Sequence, residues 1–109
     1  MSLLAVACGG AAMPSEKLTN SRASIRAAEE AGAQQTPQAA LHLKLARDQV
    51  ARAERLIRNG QNEDATLALD QAQADADLAL ALSHETQAKR DAEQAKARIA
   101  ELREQSQVQ

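Results

Sequence analysis

Aromatic residues are absent from this chain: its 109 residues contain no Phe, Tyr or Trp. That removes the stacking platforms single-stranded nucleic acid uses, and also the largest core anchors. One Cys excludes an internal disulfide. Thirteen basic and fifteen acidic residues leave a net charge of −2, with no basic stripe dense enough for nucleic acid. No apolar run is long enough to span a membrane. Leu, Ile and Val total 19, whereas Ala alone supplies 26. At about 25 cal/mol per Å² of apolar surface, an Ala-rich core is thin and marginal, so modest stability or self-association is expected. The length allows one domain.

What is present is helix-forming sequence. From Asn62 to Gln105 there is no Pro or Gly, and Ala, Leu, Glu, Gln, Lys and Arg fill most positions. This predicts one helix of roughly 40 residues, about 60–65 Å long. The preceding helices are too short to cover it, so part of it must lie bare or find a partner.

Punctuation sets the earlier helices. Pro14-Ser15 opens the first, with Ser15 as the expected N-cap, and Gly32 stops it after Ala31. Leu18, Ser21, Ile25 and Ala28 form its inner stripe; only two are large, so this helix is the weakest held. Ala33 to Thr36 is a loop. Thr36-Pro37 is a cap followed by Pro at the first helical position, where no hydrogen bond is lost. The second helix runs to Asn59 and stops at Gly60. Its inner stripe is Ala39, Leu43, Ala46, Val50, Ala53 and Ile57, a 4-3-4-3-4 seam of coiled-coil type. Leu41, Leu45 and Leu56 form a second row suited to a further helix.

Asn62 is the expected cap of the third helix, with Glu63 and Asp64 in its first turn. Its seam is Ala65, Leu69, Ala72, Ala76 and Ala79. The short turn requires the second and third helices to be antiparallel. Charge agrees: Lys44, Arg47, Arg52, Arg55 and Arg58 against Asp48 and Glu54 give the second helix +3. Glu63, Asp64, Asp70, Asp75, Asp77 and Glu85 give the facing stretch −6. Such exposed charges fix orientation more than they add stability. Beyond Leu82 the stripe changes. A new seam runs through Ala88, Ala92, Ala95, Ile99 and Leu102, rotated well off the first, among charges that alternate in sign. The expected fold is all-α. It is an antiparallel three-helix bundle over residues 14–85, following a leader over residues 1–13. The third helix projects over residues 86–109 as a candidate coiled coil, frayed from Gln105.

Leu4-Ala5-Val6-Ala7-Cys8-Gly9-Gly10 resembles the end of a bacterial lipoprotein signal. An apolar run and small residues precede a Cys whose thiol takes a diacylglycerol. There is no positively charged start and the run is short, so this reads as a signal cut within its length. The competing reading is an ordinary small Cys in a terminal leader. Together with the Pro-initiated second helix and the Ala53-Glu54-Arg55-Leu56-Ile57…Gly60…Ala65…Leu69…Ala72…Ala76 spacing, it makes the chain resemble a bacterial envelope lipoprotein family known as domain of unknown function 4398. The resemblance covers residues 33–88. It implies a periplasmic helical module held at a membrane, the outer more than the inner, and brings no catalytic residues. Gly60, Ala65, Leu69 and Ala72 also match the turn and second helix of a tetratricopeptide repeat. The large first-helix residues of that repeat are missing, and one repeat cannot bury its own faces.

Sites are few. His42 and His84 lack a positioned Cys or carboxylate and read as exposed helix-surface residues, not metal ligands. No Ser has a His/Asp arrangement around it. The carboxylates from Asp70 to Asp77 are spaced around a helix, with no loop to fold round a cation. No enzyme activity, cofactor or metal is expected. The leading expectation is a non-catalytic, membrane-anchored adaptor or structural module of the cell envelope. Its lipid would be on Cys8, and its contact seam would be Ala88, Ala92, Ala95, Ile99 and Leu102. That seam would meet most simply a second copy, or else another envelope protein or a peptidoglycan-associated component. The alternative is a soluble, tetratricopeptide-like helical interaction module binding a peptide between its helices.

Overall fold

The computed structural model describes residues 10–108. Three α-helices follow in order: α1 Ser15–Glu30, α2 Pro37–Arg58 and α3 Asn62–Val108. A 3₁₀ turn, Ala33–Gln35, joins α1 to α2 and buries Ala33. The arrangement is up-down-up, and α3 is the central element on which both other helices pack. Lys17, Ser21 and Ser24 of α1 meet Asp70, Leu69 and Gln73 of α3, so these two helices run parallel. His42 of α2 meets Asp75 of α3, consistent with the antiparallel pairing the short turn demands.

The core is the set of stripes the periodicity predicts. α1 buries Leu18, Ser21, Ile25 and Ala28. α2 buries Ala39, Leu43, Ala46, Val50 and Ala53, with Ile57 half-buried at the end. α3 buries Ala65, Leu69, Ala72, Ala76 and Ala79, and adds Ala68 and Ser83. Most of these are Ala, so the helix backbones can approach to the short end of the usual 8–10 Å range. Leu43 and Leu69 are the largest side chains shut off from solvent completely. Ser21 donates its hydroxyl to the Leu69 carbonyl at 3.2 Å, and Ser83 to that of Ala79 at 2.8 Å, which satisfies the two buried polar residues.

Gly32 and Gly60 end α1 and α2 in the left-handed region, at φ of 81° and 74°, where a side chain would be strained. The starts differ from expectation. Pro14, not Ser15, stands at the cap of α1: its carbonyl accepts the Leu18 amide at 3.0 Å, so Ser15 is already helical. Gln61 plays the same part for α3, accepting from Ala65 at 3.0 Å. Asn62 is therefore inside the helix, and its amide nitrogen donates to the Ala11 carbonyl at 2.9 Å. Thr36 caps α2 through its carbonyl alone, with Pro37 at the first helical position. α3 stays helical to Val108, past the fraying expected at Gln105, because no Gly or Pro interrupts it.

Two packing expectations fail. Leu41 and Leu45 do not pack against a third helix; they are 55% and 37% exposed, and of that row only Leu56 packs against the core. α3 already fills the gap beside α2, and no fourth helix among the described residues covers this face. The charge argument also needs correction. Among the described residues, no Lys or Arg of α2 pairs with a carboxylate of α3, and the His42–Asp75 contact is a hydrogen bond between them. Arg47 reaches Glu29 and Glu54 reaches Arg22, both on α1, while Lys17 of α1 takes Asp70. The acidic face of α3 and the charges of α2 thus hold α1 in place, because the α2–α3 contact is lined by Ala with little room for long charged side chains.

Candidate interaction surface

The last buried position of α3 is Ser83, and residues 87–108 are exposed throughout. From Gln87 to Val108 this is about 33 Å of helix on which none of the other described residues packs. Its continuation is set by local chemistry. Helix-forming residues fill it, and the exposed pairs Glu85–Lys89 at 2.9 Å and Glu93–Lys96 at 3.6 Å lie along it. Such pairs contribute about 0.3–0.5 kcal/mol each.

Ala88, Ala92, Ala95, Ile99 and Leu102 all lie in this bare stretch. Their 4-3-4-3 spacing puts them on one side of the helix. Ile99 and Leu102 are half-exposed, at 50% and 52%. At about 100° per residue, the centre of this seam is turned roughly 140° from the bundle-facing seam of Ala65, Leu69, Ala72 and Ala76. It therefore points away from α2. Cys8, the expected lipid site, lies outside the described residues.

The histidines divide. His84 is exposed, as its position predicts. His42 is instead about a quarter exposed, and its Nδ1 lies 2.9 Å from Asp75 Oδ1. With the proton on Nδ1, His42 donates to that carboxylate across the α2–α3 contact. The antiparallel register could have found this pair, since it brings the middle of α2 beside Asp75. No group of three or more His, Cys, Asp or Glu among the described residues could hold a metal ion. No helix among them is long and apolar enough to cross a membrane.

A groove of about 510 Å³ runs between α1 and α3, lined by Lys17, Asn20, Ser21, Ser24, Asp70 and Gln73 among others. Five of its polar side chains already have partners. Lys17 pairs with Asp70, Gln73 donates to Ser24, and Ser21 donates to the Leu69 carbonyl. It is a seam between two helices closed by their own side chains. Two buried oxygens among the described residues have no hydrogen-bond partner, Gln49 Oε1 and Asn62 Oδ1. They lie on different elements, Gln49 on α2 and Asn62 at the start of α3.

Residues 16–95 match the family model described as a domain of unknown function, DUF4398. The chain belongs to this family. The match takes in α1, α2 and α3 as far as Ala95, so it is wider at both ends than the stretch on which the sequence resemblance rests. The DUF4398 region therefore comprises the whole bundle and the first part of the bare helix, and Ile99 and Leu102 lie beyond it. No curated protein and no solved structure matches the chain.

Proposed function

We propose that this chain is a non-catalytic helical adaptor of the bacterial cell envelope, periplasmic and held at a membrane through a lipid on Cys8. The bundle is its base, and the bare half of α3 is the arm that meets a partner. One observation carries the reading: a single helix belongs to a closed bundle over its first half and presents an unpartnered apolar seam over its second. Polypeptide that is ordered, exposed and apolar along one line is characteristic of a surface awaiting a partner helix.

The hydrogen bond from Asn62 to Ala11 supports the direction. It ties the leader to the end of the bundle where α3 begins. An anchor on Cys8 would then sit at the base, with the tip of α3 about 70 Å further along the helix. A lipid-held bundle of this shape carries its contact seam away from the bilayer.

The test is the mass of the N-terminal peptide of the protein isolated from its own source with its full signal. A diacylglyceryl group on Cys8 is the expected result. An unmodified Cys8 in a chain with an intact upstream segment would remove the anchor. The soluble interaction module would then be the better reading.

A further inference from the structure

The outer seam is flanked by two rows of unlike charge. Lys89, Lys96 and Arg103 each follow a seam residue by one position and recur every seven residues. They form a basic row along one edge of the seam. Asp91, Arg98 and Gln105 form the row along the other edge, also seven apart. In a pair of helices these flanking rows face the flanking rows of the partner.

A second copy fits this pattern poorly in either direction. Antiparallel pairing sets the basic row against itself, so Lys89, Lys96 and Arg103 meet the same three residues, while the other row offers at most an Asp91–Arg98 attraction. Parallel pairing sets Asp91 against Lys96, which attracts, and Arg98 against Arg103, which repels. In either direction the attractive contacts are offset by repulsive ones, and three of the five seam residues are Ala, which bury little between identical helices. The same Ala residues leave shallow holes that larger apolar side chains of another helix can enter. Glu85 and Glu93 already lie beside Lys89 and Lys96. Those pairs are solvent-exposed and weak, so a partner's carboxylates can share the bases at little cost.

We infer that residues 86–104 take up an amphipathic helix of a different protein, one with large apolar residues on its seam and Asp or Glu along the edge that meets Lys89, Lys96 and Arg103. This deepens the adaptor reading and rests on the bare segment being its contact surface. It does not depend on the lipid, which the peptide mass tests separately.

The experiment uses the full chain and two synthetic four-heptad peptides with the same Leu/Ile seam. One carries Glu in both flanking rows and its twin carries Lys. Sedimentation of the chain alone should show a monomer. Titration should show the Glu peptide binding about tenfold or more tighter than the Lys twin, with the difference shrinking as salt is raised. The chain carrying K89E, K96E and R103E together should reverse that preference while keeping its helical spectrum, since all three sites lie beyond the bundle. Equal binding of the twins would overturn the acidic chemistry and leave the contact surface standing. Binding of neither by a monomeric chain would overturn both. A chain that dimerises through this segment and ignores the peptides would assign the seam to a second copy.

Discussion

Replacing Ala46 by Leu should destabilise the bundle, although it adds apolar surface to an apolar core. Ala46 is fully buried where α2 lies against α3. Leu adds three carbons. Were there room, burying them would stabilise the fold by about 0.8 kcal/mol each, or roughly 2.4 kcal/mol. The structure leaves no such room, because Ala39, Ala53, Ala65, Ala72, Ala76 and Ala79 are fully buried along the same contact and hold the two backbones close. Forcing the larger side chain in costs about 1–3 kcal/mol net. A bundle of this size has a total stability on the order of 4–11 kcal/mol, so the loss is a large share of it. The matched control is Ala88→Leu, at an exposed site on the bare part of α3, where only the small propensity difference applies and the change should stay within about 0.5 kcal/mol. Urea unfolding followed by far-ultraviolet circular dichroism reads both. A raised midpoint for Ala46→Leu, or an equal drop for Ala88→Leu, would refute the view that Ala sets the helix spacing.

Asp75→Ala leaves His42 without its partner and should lower stability by about 0.5–1.5 kcal/mol in the same unfolding assay. Gln49→Met removes a buried side-chain oxygen that has no hydrogen-bond partner and should raise stability by about 1 kcal/mol, seen as a higher urea midpoint. Ending the chain after Thr86 should keep a cooperative transition with an unchanged midpoint while helical signal is lost in proportion to the residues removed. The buried positions of α3 stop at Ser83.

The helices and their inner faces were legible because two local signals agree. Gly32, Thr36-Pro37 and Gly60 mark the breaks, and the 4-3 spacing of Ala and Leu marks the buried faces. The four inner residues of α1 and the five of the α3 seam are all buried as that spacing predicts. Cap identity was less legible. Ser15 and Asn62 have side chains that favour a cap, yet the helices begin one residue earlier on the carbonyls of Pro14 and Gln61. Side-chain preference is a weak force beside one backbone hydrogen bond. Leu41 and Leu45 misled because a helix-period row says only which residues share a side, not whether anything covers that side. Net charges likewise cannot say which of two neighbouring helices an arginine will reach, and Arg47 turned to Glu29 on α1. Of the candidate surface, the bare stretch and its seam were legible from the change of stripe after Leu82, since a straight helix cannot present both seams to one bundle.

The unbroken course of α3 has a geometric consequence. No Gly, Pro or turn separates the seam that builds the bundle from the seam that lies bare. The two are locked in phase, like marks on one shaft. Inserting a single residue between Gln87 and Ala88 would swing the outer seam by about 100° and advance it by about 1.5 Å, whereas inserting seven would return it almost to its bearing, one heptad further out. The bearing and the reach of whatever docks there are thus written in the count of residues along one helix.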